Sequence, residues 1–536
     1  MNNYDSSKIA YRGRRKIYTD QVEINESNVQ QVLCNSLIYH EKNRAEITYL
    51  MNYEAGEQPL KRQKLIRDEI DIKDIPNLAH VITSFWKGYE YGNHVANVQR
   101  CSTDNPDRDK DNKGISLLNT MYSVEGMLKK DQKLANFLLI TGVCPQMIDI
   151  KRHLIDEDDS LFDLVTLDPR FAFVVYSSTA YEKPVMGVSF AEKDDGSTIY
   201  TCITESRIYV LDNLVLDKDK KERTWAFDKT SGQLNPFGVI NIIEFERAPD
   251  RTGVFERQID EMNALAIQCS DLANDVAQTC QAMWWGNDID LPTDDEGKVK
   301  KPVGGQWIVT NTAGDGAKPD IKPLTLNYDY NGVIANITEK HDQILKHAFV
   351  PLTSDSQGGG SNTGAAALSS GWTAAEAVAK ADMDYVIPFF EYRNRLALIA
   401  CKKNTIPKGK REEYKPLLEL SASDIEVAAI RQKTFDMATK VNSLATMIQN
   451  FVDPRVAMET VGLFPNLEEA VEESEKNMRK YQKNLLKEDK ETQKIAPDTL
   501  VEGRNGEVEE LSTQNAPDKE KTMEDSSDQI SKEDDI

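Results

Sequence analysis

The chain has 536 residues, 40% hydrophobic and 29% charged, the balance of a folded protein with material for several domains. Acidic residues outnumber basic ones 88 to 65, for a formal charge of −23, which argues against a protein that wraps nucleic acid by neutralising phosphates. No apolar run reaches the roughly 18 residues of a membrane span, and the basic N-terminus, MNNYDSSKIAYRGRRKIY, lacks the apolar stretch of a secretory signal.

Lys8, Arg12, Arg14, Arg15 and Lys16 read as a loose basic arm. Residues 1–120 read as largely helical. In IPNLAHVITSFWKGYEYG, Leu78, Val81, Ile82, Phe85 and Trp86 recur at helical spacing, and Gly88 and Gly92 end or bend that helix. Residues 134–250 change character: RFAFVVYSS, VMGVSFA, TIYTCITESRIYVLD and FGVINIIEFE are short and rich in Val, Ile, Tyr and Phe. Turn residues such as Asp194, Asp195, Gly196 and Ser197 separate them, which predicts a mostly antiparallel sheet.

Residues 253–285 carry the strongest helical pattern. Phe255, Ile259, Met262, Ala266, Cys269, Leu272, Val276, Cys280 and Met283 fall at steps of three and four. That predicts a rod of about 50 Å, longer than one small domain can bury, ending at Trp284 and Trp285. Those two rings read either as a plug where the helix ends or as a partner anchor. Residues 286–330 are rich in Gly and Pro, with QWIVTNT, containing Trp307, as the clear strand. A helix follows over 331–349, with Val333, Ile334, Ile337, Ile344, Leu345 and Ala348 as its apolar face. PLTSDSQGGGSNT (351–363) reads as a loop. A long helix follows to about residue 402, with a kink expected at Pro388. Residues 421–480 read as further helices, with Phe451, Val452, Val456, Met458 and Leu463 as core. Beyond Gln482 there is no aromatic residue, and 498–536 holds 13 acidic against 4 basic residues, a composition that predicts disorder.

No local pattern announces catalysis or a cofactor. The loop of Gln357, Gly358, Gly359, Gly360, Ser361 and Asn362 precedes a helix, but Thr363, Gly364 and Ala365 stand where a phosphate-binding loop ends in Gly-Lys-Ser/Thr. DRDKDN (107–112) starts like a calcium loop, yet Asn112 replaces the required Gly and Leu118 the required Glu. The six histidines show no paired-ligand spacing, so no zinc site is expected. The seven cysteines are scattered without a CxxC pair and read as reduced intracellular thiols.

The order of parts is informative. In YLMNYEAGEQPLKRQ, Tyr53, Gly56 and Gln58 are similar to the early Tyr–x₂–Gly–x–Gln segment of the portal proteins of tailed double-stranded DNA bacteriophages. In NLAHVITSFWKGYEYGN, Asn77, Val81, Ile82, Gly88, Tyr89 and Gly92 resemble a second segment of that family. IDEMNALAIQCSDLANDV resembles its stem helix through Asp260, Asn263, Ser270, Asn274 and Asp275. FVPLTSDSQGGGSNTGAAAL resembles the stretch around its tunnel loop. Over about residues 45–480 the chain thus resembles the portals of long-tailed phages of Gram-positive bacteria.

The resemblance implies an α+β, mainly helical subunit that closes into a ring, usually of twelve copies, at one vertex of the capsid. Residues 1–252 would form the wing, 253–285 and 331–350 the two stem helices, and 286–330 the clip. Residues 351–363 would be the tunnel loop, 364–404 a long kinked helix, 405–481 a helical crown and 482–536 an acidic tail. Ile259, Met262, Leu272, Val276, Ile337 and Ile344 would pack the stem between subunits, and Trp284, Trp285 and Trp307 would mark the clip. Implied partners are double-stranded DNA in the channel, the large terminase subunit, a head–tail adaptor, and major capsid or scaffolding protein. No cofactor, catalysis or membrane is implied, and the location would be the virion, with assembly in the host cytoplasm. Another minor head protein, an unrecognised soluble enzyme and an acidic scaffolding protein are the competing readings. Net negative charge suits a conduit. A carboxylate about 10 Å from a phosphate across water repels it by only about 0.4 kcal/mol, whereas walls of Lys and Arg would hold it.

Overall fold

The computed structural model describes residues 13–60, 70–93, 95–100, 113–154, 159–192, 194, 198–211, 214–216, 223–225, 232–280, 284–288, 307–310, 319–323, 329–352, 363–406, 409–429, 437–450, 452–461, 474 and 476–477. In chain order these hold β1 (Ile17–Thr19), α1 (Val29–Glu54), α2 (Leu78–Tyr91), β2 (Val95–Gln99), α3 (Lys113–Val124) and α4 (Met127–Thr141). Ten strands follow: β3 (Val143–Ile150), β4 (Phe162–Thr166), β5 (Ala172–Ser177), β6 (Pro184–Glu192), β7 (Thr198–Ile203), β8 (Arg207–Leu211), β9 (Leu214–Leu216), β10 (Arg223–Trp225), β11 (Gln233–Leu234) and β12 (Ile242–Glu246). Then come α5 (Ile259–Cys280), β13 (Trp284–Asn287), β14 (Trp307–Thr310), β15 (Asp320–Pro323), α6 (Tyr330–His347) and α7 (Thr363–Lys403). The last elements are α8 (Lys415–Glu419), β16 (Ile425–Ala429), α9 (Met437–Gln449) and α10 (Pro454–Val461). The chain divides into a unit ending at Lys433 and a second beginning at Thr434. Of the second unit, α9 packs on α10, where Ala457, Met458 and Val461 are buried.

In the first unit, α1 buries Val29, Leu33, Leu37, His40, Asn43, Ile47, Leu50 and Tyr53, one stripe at steps of three and four. Its part from Val29 to His40 covers a face of the sheet β1-β5-β6-β7-β8-β11, where it meets Phe173, Val175, Val188, Phe190 and Tyr209, and Leu50 and Tyr53 join the larger core. The sheet is antiparallel except for β1, which runs parallel to β5. Successive side chains of a strand point to opposite faces, so Val174 of β5 joins Ile203 and Ile242 on the other side. There β12, β3 and β4 form a second sheet.

The largest core lies between α2, α3, α4, β3, the start of α5, the end of α6, and α7. Among its fully buried side chains are Trp86, Tyr122, Phe162, Phe245 and Phe255. α7 is 41 residues long, packs into this core from Ala375 to Cys401 and continues across Pro388, which offers no N–H to the carbonyl of Asp384.

Four expectations need correction. Residues 134–141 are the end of α4, not sheet: Leu134, Ala135, Leu138 and Leu139 are buried together, and the helix ends at Gly142 with φ +79°. A Cβ there would stand 2.3 Å from the carbonyl oxygen of Arg251, so only glycine fits. The helix expected over 253–285 spans Ile259–Cys280; a 3-10 turn, Glu256–Gln258, precedes it. Its 22 residues make a rod of about 33 Å rather than 50 Å. Trp284 and Trp285 do not end that helix but open a strand, as aromatic β-formers do. Residues 425–429, inside the stretch 405–481 expected as helical, are instead the strand β16, which pairs antiparallel with β2, Ala96 opposite Ala428.

Candidate assembly site

α5 and α6 pack as a pair whose ends differ in burial. Ile259, Met262, Leu265, Ala266 and Cys269 on α5 are buried, as are Ile344 and Leu345 on α6. The Nε1–H of Trp86 donates to the carbonyl of Ala348 at 3.1 Å, and the side-chain amide of Gln258 donates to the carbonyl of His347 at 3.2 Å. These bonds hold the close of α6 beside the opening of α5. Farther out the apolar positions emerge into solvent: Leu272, Val333 and Ile337 are half-buried, Val276 is 47% exposed and Ile334 49%. Asp329 caps α6, its carboxylate accepting from the Gly332 amide at 3.1 Å. A groove of about 450 Å³ runs between the helices, lined by Gln268, Asp271, Leu272, Asp275, Asp329 and Asn336 among others.

Of the six residues expected to pack the stem between subunits, Ile259, Met262 and Ile344 lie in the subunit's own core. Leu272 and Ile337 are half-buried, Ile337 against that same core, and Val276 is left at the surface.

Between the helices lies a three-stranded sheet of order β14-β13-β15. Trp284 is in register with Trp307 on the parallel neighbour β14 and with Pro323 on the antiparallel β15. The Lys322 ammonium sits 5.2 Å from the centroid of the half-buried Trp285 ring, a cation–π contact. The three tryptophans expected at the clip, Trp284, Trp285 and Trp307, all lie on strands of this sheet. Only one of those strands is evident in the sequence.

The start of α5 is held by ions that sequence reasoning missed. Arg14 is 1% exposed; its Nη2 donates to Glu256 at 2.6 Å and its Nε lies 3.3 Å from Glu46. Gly13, at φ +111°, lets the backbone pass where a Cβ would stand 1.9 Å from the carbonyl oxygen of Asp250. Arg15 pairs with Glu46 at 2.6 Å. Arg251 pairs with Glu244 at 2.7 Å, and the hydroxyl of Tyr385 donates to Glu246 at 3.0 Å. Burial pushes the Glu244 carboxyl up, and the Arg251 guanidinium opposes that only in part. Arg247 bonds to Asp382 on α7. Residues 13–19 are thus no loose arm: the basic side chains neutralise carboxylates of α1, of β12 and of the turn that begins α5. No local signal marks this, since each partner is remote in sequence. Lys8 and Arg12 lie outside the described residues, as do Gln357, Gly358, Gly359, Gly360, Ser361, Asn362, DRDKDN (107–112) and the acidic tail.

The sequence matches the family of phage portal proteins described as SPP1 Gp6-like over residues 36–488. The chain is a phage portal protein of this family. No curated protein matches it. Membership gives the portal subunit a structural role in the phage capsid and implies a ring. The match takes in α5, the clip-like sheet, α6 and α7, but begins inside α1. Arg14 and β1 of this portal subunit therefore stand outside it. Among its described residues no helix is long and apolar enough to cross a membrane.

Proposed function

We propose that twelve copies of this subunit close into a ring at one capsid vertex around an axial channel for double-stranded DNA. α5 and α6 would line that channel as the stem. β13, β14 and β15, with the rest of 286–330, would be the clip that docks the large terminase subunit and later the head–tail adaptor. Residues 351–363 would be the tunnel loop, touching the DNA backbone without reading sequence. Residues 1–252 would form the wing, and 405–481 the crown, facing major capsid or scaffolding protein. The same ring would serve genome packaging and ejection, with ATP chemistry left to the terminase. Assembly would take place in the host cytoplasm before the ring joins the virion.

The observation that supports this reading is the outward loss of burial along the α5–α6 pair. Its apolar pattern continues past the point where the subunit can cover it, at Val276 and Ile334. Apolar stripes of this kind call for a second surface, and head-to-tail closure gives every copy the same cover. Val276→Asp would bury an unpaired charge at that contact. Negative-stain imaging of the purified protein should give rings with a central hole. V276D should give folded subunits, with an unchanged circular dichroism spectrum, that form no rings. Rings in V276D would sink the stem assignment; an unmutated protein that never forms rings would sink the portal channel itself.

A further inference from the structure

Residues 70–76, which lead into α2, run beside α5, and α5 grips them by their backbone. The amide of Ile72 donates to Asn274 Oδ1 at 3.0 Å, and Asn274 Nδ2 donates to the Ile72 carbonyl at 2.8 Å. One turn earlier, Ser270 Oγ accepts from the Asp74 amide at 3.0 Å and donates to the Asp74 carbonyl at 3.1 Å. The spacing explains the fit. Two residues of extended chain cover about 6.6 Å, and four residues of helix rise about 6.0 Å. A polar pair at positions i and i+4 of α5 therefore meets alternate peptide groups of an extended segment.

The segment adds little to the core. Asp71, Ile72, Lys73 and Asp74 are exposed, so no side chain between Ile70 and Ile75 is buried. The seat is polar: Ser270 and Asn274 are 0% and 2% exposed beneath the segment. Ile70 is the segment's one buried side chain; water can satisfy the polar groups uncovered if the segment lifts, and the apolar face of α5 at Met262, Leu265 and Cys269 stays in the core. The C-terminal end of the segment is tied down by Asn77, which caps α2 by accepting from the His80 amide at 3.2 Å. Asn77 also donates to the Glu54 carbonyl at the end of α1 at 2.8 Å.

We propose that residues 70–76 are a releasable strap. It couples the α1–α2 junction to the middle of α5 when closed, and it opens from the Ser270–Asn274 seat while the core stays folded. α1 already touches α5 where the Tyr53 hydroxyl donates to Asn263 at 3.0 Å. The strap adds a second hold 11 residues farther along the helix, about 16 Å away. A shift of the α1–α2 junction reaches that part of α5 through the closed strap.

Two measurements on the full chain test this. Hydrogen exchange under native conditions should show peptides covering 70–77 protected, yet opening at least 100-fold more readily than peptides covering 259–266. Asn274→Ala should remove protection at Ile72 without changing 259–266. In the second, Ser270→Cys places a thiol under the strap. Iodoacetamide should label this introduced thiol at least tenfold faster than the buried Cys144 and Cys202, and N274A should speed that labelling further. Two results would overturn the proposal. One is exchange of 70–77 only at the rate of the core, with the introduced thiol as inert as Cys202. The other is a wild-type strap with no protection at all. Neither readout depends on ring formation, so the strap and the portal reading fail separately.

Discussion

Arg393→Met should be among the most damaging single changes in the first unit. Arg393 is 1% exposed toward the C-terminal end of α7. Its Nη1 donates to Asp131 of α4 at 2.6 Å and to Gln146 of β3 at 3.4 Å. Its guanidinium also lies 4.6 Å from the ring centroid of Phe390 and 5.2 Å from that of Tyr122. Methionine keeps most of the volume and loses the charge. What remains is Asp131, buried and without its cation, and breaking one side of such a pair costs about 3–5 kcal/mol. Replacing both groups, R393M with Asp131→Leu, removes the orphaned charge and should recover most of the stability. Urea unfolding followed by tryptophan fluorescence, for wild type, both single variants and the double variant, yields the coupling energy. A loss below about 1 kcal/mol in R393M, or a double variant no more stable than R393M, would refute the reasoning.

His40 should make stability depend on pH. Its ring is stacked on Phe173 at 4.3 Å and its Nε2 lies 3.1 Å from the Arg170 carbonyl. Burial, with a lesser push from Arg44, lowers it to about 4. The unfolded chain takes up a proton below about 6.5 while the folded chain does not. Stability should therefore fall as pH drops from about 6.5 to 4, by about 3 kcal/mol. His40→Leu should remove that part of the slope, and equal slopes in urea titrations of the two proteins would count against it. Arg14→Met should leave Glu256 buried without its cation, while Glu46 keeps Arg15, at a cost of about 3 kcal/mol. Hydrogen exchange should locate the loss at 253–262, and a uniform loss across the unit would contradict the joint described above.

The helices that carry the ring reading were legible because their pattern is local. Ile259 through Val276, and Val333 through Ile344, repeat at a period that only one conformation explains. The strand WIVT was legible for the same reason. What escaped had no local signature. VANVQ and IEVAA are short and unmarked, and each becomes a strand only because the other is there. Trp284 and Trp285 continue the apolar count of α5, so the period alone could not show where helix gave way to sheet. Arg14 looked like a solvated charge, since nothing near it in sequence foretells Glu46 or Glu256.

The pairing of β2 with β16 bears on how the protein is made. The strand at 95–99 leaves the ribosome early and has no companion until 425–429 follow it out. Asn97 adds to the wait, since the Nδ2 of Asn394, near the close of α7, donates to it at 2.6 Å. At about 5–20 residues per second, the interval is on the order of 15–60 s. Throughout that time the early helices hold an unfinished interior, and nascent chains on one polysome are poor candidates for joining one another. Oligomers should therefore form from released, completed polypeptides, which sets a natural order between translation and the nucleation of a particle.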